Sequence, residues 1–188
     1  MRYLVSIILT LSIAVCLLNS CAKWKDPKGY TDPQLTNPYC NDPNAVNYNW
    51  GFPGKPDNTI CFYPNQLFAG TWEYYDSVYS VSSGLLLFTD SFTMTVHSIS
   101  DTIISVFGFC GSAPDSIILA AGPTYIATVD TLIGDSITTE GQRLCRVQDT
   151  INGTITRDRL DSPYVLHVNL QVTSDTGATI HSGSAFFR

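Results

Sequence analysis

The sequence predicts an all-β fold: an antiparallel up-and-down barrel of about eight strands, preceded by a small disulfide-closed module. Three observations carry this expectation. From Leu67 onward apolar and polar residues alternate: Phe92, Met94 and Val96 share one parity against Thr93, Thr95 and His97, and Tyr164, Leu166, Val168 and Leu170 repeat the design against His167, Asn169 and Gln171. A period of two puts one face of a strand in a core. Turn clusters break the alternation at short intervals, at Ser82-Ser83-Gly84, Gly111-Ser112-Ala113-Pro114, Gly134-Asp135, Asn152-Gly153 and Ser174-Asp175-Thr176-Gly177. No long helical period is visible, and consecutive short antiparallel strands hide their edges by closing on themselves, as a barrel or a tightly rolled sandwich.

The chain opens on an apolar run from Leu4 to Leu18, with Arg2 the only charge before Lys23, and the run ends in Leu18-Asn19-Ser20-Cys21. A short apolar stretch with a small residue just before a cysteine reads as a bacterial lipoprotein cleavage site. Residues 1–20 are then a signal peptide, and the mature protein begins with a lipidated Cys21. Each buried methylene of its acyl chains contributes about 0.8 kcal/mol, so two or three chains hold a protein to a bilayer. An uncleaved anchor and an ordinary secretory cleavage compete with this reading, but the run is shorter than the roughly twenty residues a membrane-spanning helix requires. Ala22 follows the cysteine where an inner-membrane-retaining Asp would stand, so outer-membrane attachment is expected. Residues 21–39, with Pro27, Pro33 and Pro38 among Lys, Asp and Gly, read as a semi-extended tether.

Cys16 leaves with the signal and Cys21 carries the lipid, leaving Cys40, Cys61, Cys110 and Cys145, an even set suited to an oxidising compartment. Of the three possible pairings, composition favours Cys40 with Cys61 across a Pro-, Asn- and Asp-rich loop, and Cys110 with Cys145 in the strand-rich remainder. Each bridge stabilises by roughly 3 to 4 kcal/mol in the chain-entropy model. No CxxC or CxH spacing is present, so neither a zinc site nor any cofactor is expected.

The module spans residues 40–63. Its opening, Cys40-Asn41-Asp42-Pro43-Asn44-Ala45-Val46-Asn47-Tyr48-Asn49, and its close at Cys61-Phe62-Tyr63 resemble a short cysteine-closed repeat of bacterial surface proteins. The sequence departs from that repeat at Gly51-Phe52-Pro53-Gly54-Lys55, and Asp57-Asn58 stands where paired acids are usual. Asp42, Asn47, Asn49 and Asp57 are oxygen donors, yet calcium requires six to eight oxygens and several carboxylates. Turn capping by these side chains is the favoured reading.

Strands are expected at Thr71–Tyr79, Gly84–Phe88, Phe92–Val96, Thr102–Phe109, Ser116–Ala120, Thr124–Val129, Ser136–Thr139, Leu144–Thr156, Tyr164–Leu170 and Thr179–Phe187. The first begins with Leu67-Phe68-Ala69-Gly70-Thr71-Trp72-Glu73, which resembles the opening motif of lipocalin-like (calycin) proteins, where a glycine and a tryptophan two residues on start the first strand. Tyr125 to Gln142, Asn152-Gly153-Thr154-Ile155 and Ser182 to Arg188 look more loosely like the last strands of small lipocalin-like lipoproteins of Gram-negative envelopes. The resemblance covers residues 67–188. It implies an indole closing one barrel end, with Arg157 or Arg188 as candidates to pack over it, and non-catalytic binding of a small apolar ligand. Trp72, Tyr74, Phe92, Met94, Phe107, Tyr125, Tyr164 and Leu166 are the inward positions expected either to line such a cavity or to pack a filled core.

Residues 67–188 contain no lysine, five arginines and twelve acids. That balance excludes nucleic acid as a partner, because phosphate binding requires a basic face. His97 and His167 share the polar parity of their strands, the face of His181 is undecided, and no GxSxG, HExxH, P-loop or dinucleotide pattern occurs. No enzyme is expected, and an uncharacterised hydrolase using His181 and nearby Asp residues is the last alternative. Asp followed by Ser or Thr and an aliphatic residue recurs, for example at Asp76-Ser77-Val78, Asp101-Thr102-Ile103 and Asp149-Thr150-Ile151. The triad resembles acceptors of periplasmic O-glycosylation, and it also fits a turn leading into a strand. The second function class is an interaction protein that contacts an envelope protein or a glycan through exposed aromatics such as Trp50 and Phe52.

Overall fold

The computed structural model describes residues 32–111, 116–130, 141–144, 146–158 and 165–188. The signal segment, Cys21, most of the tether, Cys145, Tyr164 and the strand expected at Ser136–Thr139 lie outside the described residues.

The module is held by turn chemistry and one bridge. Strands β1 (Pro38–Tyr39) and β2 (Lys55–Pro56) pair in parallel, and Cys40 is bonded to Cys61 with their Cα atoms 5.0 Å apart. Asp42 accepts the Asn44 N–H at 2.9 Å and the Tyr63 hydroxyl at 3.0 Å, and Asp57 accepts from the Thr59 hydroxyl and N–H. Asn47 spans the loop, accepting from Phe62 N and donating to Ile60 O, both at 2.8 Å. Three of these four oxygen donors therefore serve as side-chain to backbone caps, as the sequence leads one to expect. Asn49 differs, taking a left-handed φ of 58°.

Among the described residues nine strands follow: β3 (Gly70–Ser80), β4 (Leu86–Ser100), β5 (Ile103–Phe107), β6 (Ile117–Ala121), β7 (Ile126–Val129), β8 (Gln142–Leu144), β9 (Arg146–Arg157), β10 (Val165–Ser174) and β11 (Gly177–Phe187). Each barrel strand pairs antiparallel with its sequence neighbours, β11 returns to β3, and β9 joins β10, so eight strands close into a barrel. The short β8 takes the edge of β9 where β7 stops. The Gln142 amide fills the seam, accepting from Ile118 N at 2.8 Å and donating to the carbonyls of Ile118 and Asp130.

Two expectations are corrected. The strands foreseen at Gly84–Phe88 and Phe92–Val96 are one strand, because Thr89-Asp90-Ser91 contains no residue that stops a ladder and pairs through with β3. Tyr125 is in the turn before β7, at a left-handed φ of 67°, where its carbonyl accepts from Arg157 N.

A helical turn, Asn65–Phe68, closes one end of the barrel with Leu67 and Phe68 buried. The Trp72 indole N–H donates to the Phe68 carbonyl at 3.0 Å, the Arg157 guanidinium donates to the Leu67 carbonyl, and Phe187 packs edge-on against the indole with ring centroids 5.2 Å apart. Val46 of the module joins the same core, so module and barrel share one apolar interior. Backbones approach closely at several glycines, two of them on the strands that close the sheet. A Cβ on Gly183 would overlap the Tyr75 carbonyl oxygen, and one on Gly153, whose φ is 131°, would overlap that of Asn169. Gly183→Ala is therefore expected to lose at least about 3 kcal/mol in denaturant unfolding. Gly84→Ala, in open space at a φ of 69°, is expected to lose only about 1 kcal/mol.

Candidate functional site

The residues expected inside the barrel divide into three groups. Trp72, Tyr74, Met94 and Leu166 are fully inside, with exposures of 2%, 0%, 0% and 0%. A side chain that a water-sized sphere cannot touch adjoins no void able to admit a ligand. These four fill the core. Phe92 and Tyr125 are partly buried against it. Phe92, Tyr74 and Phe109 pack in a mutual trio with centroids 5.2 to 5.8 Å apart, so Phe109 acts as a stopper above the core. Phe107 is on the outer wall, paired in register with Thr95 and edge-on to His97 at 5.4 Å, which corrects its expected inward position. In Ile103-Ile104-Ser105-Val106-Phe107 nearly every position is apolar, so alternation alone does not define the buried face.

One polar constellation is built into this interior. Asp76 follows Trp72 and Tyr74 along the inward parity of β3, and its carboxylate is buried. It accepts the Tyr74 hydroxyl at 2.8 Å and His181 Nδ1 at 2.6 Å, while His181 Nε2 is 3.5 Å from the Thr179 hydroxyl. His181 shares its register position with Val78 and so faces inward, which settles the face that alternation left open. Burial first, and the hydrogen bond to Asp76 second, push the Tyr74 hydroxyl far above the ordinary tyrosine range. Each member thus satisfies another, as a buried carboxylate requires. Only His181 is reachable from solvent, with its side chain 19% exposed against 3% for Asp76. The sequence signal for Asp76 was present in its parity with Trp72, Tyr74 and Val78. The Asp-Ser-Val triad concealed it by resembling a turn. Asp149-Thr150-Ile151 is likewise inside a strand, whereas Asp101-Thr102-Ile103 is a turn entering β5.

The outer surface presents two contrasting features. The β3–β4 hairpin rises past β5, whose pairing with β4 begins only at Thr95. Among the described residues no strand pairs with the free edge of Leu86–Ser91. Leu85, Leu86, Leu87 and Phe88 at that edge are 52–67% exposed. The wall formed by β9, β10 and β11 is instead polar, and two adjoining shallow grooves cross it. Among the described residues no group of His, Cys, Asp and Glu has the arrangement of a metal site. Cys110 is disulfide-bonded and packs against the core, while its expected partner Cys145 lies outside the described residues. No protein-family model matches the sequence, and no curated protein matches it either.

The native state retains a Tyr74 proton that the unfolded chain releases above its ordinary pKa of about 10. Stability from this bond is therefore complete below about pH 10 and falls as pH rises beyond it. In alkaline urea titrations Tyr74→Phe is expected to flatten that decline, and Asp76→Ala to cost about 2 kcal/mol at neutral pH by leaving the buried Tyr74 hydroxyl without its acceptor.

Proposed function

We propose that the protein is a lipid-anchored, non-catalytic interaction protein of the outer membrane, held at Cys21 and extended on its tether, whose barrel displays binding surfaces on its outside. The observation that carries this reading is the filled interior: Tyr74, Met94 and Leu166 are inaccessible, so the inward residues support a core in preference to a pocket for a small apolar ligand. A catalytic acid, base or nucleophile must reach its substrate. Neither Tyr74 nor Asp76 is exposed to do so. The Trp72 indole beneath the helical turn, with Arg157 donating to Leu67 beside it, supports kinship with lipocalin-like envelope proteins.

The free edge of β4 is the surface best suited to an envelope-protein partner. Among the described residues no strand pairs with its outer side along Leu86–Asp90, and it carries four consecutive exposed apolar side chains, the combination by which an extended segment adds a strand. A photo-crosslinking amino acid at Leu87 in living cells is expected to give a discrete protein adduct, lost when Phe88→Asp is added. The absence of an adduct would contradict the partner. Labelling with an alkyne fatty acid is expected to mark the wild type and not Cys21→Ala, and an unlabelled wild type would contradict the anchor.

A further inference from the structure

The wall of β9, β10, β11 and β3 carries rungs of side chains whose chemistry is unusual for a chain of net charge −6. One rung runs Thr156, His167, Ser184, Tyr75, and the next runs Thr154, Asn169, Ser182, Ser77. Neither contains an acid, a lysine or an arginine. Glu73, the acid nearest this wall on β3, is neutralised by Arg188 at 2.6 Å, an ion pair without hydrogen-bond alignment. Ser182, Gly183 and Ser184 are small, so β11 forms the floor of a shallow groove beside the taller His167 and Asn169. On its other flank, in register with Ser184, Tyr75 is 55% exposed and held edge-on to Phe186 with centroids 5.9 Å apart.

We propose that this groove binds an uncharged oligosaccharide. Asn169 in this groove and Gln171 in the groove adjoining it are exposed amides, each with donors and an acceptor, and no hydrogen bond to another described group engages their side chains. Together with the Thr and Ser hydroxyls they match the paired donor and acceptor capacity of sugar hydroxyls. The exposed Tyr75 ring offers an apolar face to the C–H side of a pyranose, in the manner of aromatic rings that are apolar in body and polar at one tip. The groove carries no lysine or arginine to hold a phosphate or sulfate and no carboxylate to hold a metal. It also lacks the apolar centre of a protein interface. Its strands are distinct from the free β4 edge, so either reading can fail without the other.

The test is isothermal titration of the full-length lipoprotein, in micelles of a detergent without sugar headgroups, with cellohexaose, maltohexaose, xylohexaose and mannohexaose. At least one is expected to bind saturably at millimolar concentration or below, with an affinity insensitive to salt because no charge is paired. Tyr75→Ala is expected to weaken that binding about tenfold or more, and Tyr75→Phe to preserve it. Ser184→Gln, which fills the floor while leaving Tyr75 in place, is expected to abolish it. Failure of all four sugars to bind would overturn the proposal, as would binding that survives both Tyr75→Ala and Ser184→Gln.

Discussion

Closure of the sheet between β9 and β10 is the constraint from which the rest of the molecule follows. Those two strands pair over eight positions, from Thr150 with Thr173 to Arg157 with Leu166, and without that ladder the meander would end in two exposed edges. Once eight strands close, the interior is only wide enough for side chains in layers or for one small ligand. Trp72, Tyr74, Met94, Ile104, Leu119 and Leu166 occupy that width completely. The same closure brings backbones together at Gly153 and Gly183, where a side chain would overlap a neighbouring carbonyl.

A filled barrel must accommodate whatever polar groups its inward parity includes. Asp76 falls on that parity, and it is tolerated because Tyr74 and His181 both direct a hydrogen at it. The constellation fastens β3 to β11, because the Asp76 carboxylate accepts from a residue on each strand. The helical turn under Trp72 performs a comparable service at the other end, where the indole and Arg157 satisfy the carbonyls of Phe68 and Leu67. The outer surface carries two further features. There the apolar hairpin at Leu85–Phe88 and the uncharged wall around Asn169 differ sharply in character.

Much of this architecture was legible because alternation is a local property. Phe92, Met94 and Val96, and Leu166, Val168 and Leu170, are placed by parity alone, and the Cys40–Cys61 bridge by the composition it encloses. What escaped was set by partners distant in sequence. Asp76 and His181 are 105 residues apart, and nothing local announces that they meet. Gln142 behaves as a piece of strand only because β7 leaves the ladder at Val129. Phe107 was ambiguous since both faces of β5 are apolar, and the long β4 was divided by a polar Thr-Asp-Ser that a strand accommodates without difficulty.

Whether the barrel is solid decides between a protein that encloses its ligand and one that displays its surface. Crystals pressurised with xenon report this directly, since the gas enters dry apolar voids that water leaves empty. A solid barrel admits no xenon among Trp72, Tyr74, Met94 and Leu166. An ordered xenon atom at that level of the barrel would contradict it.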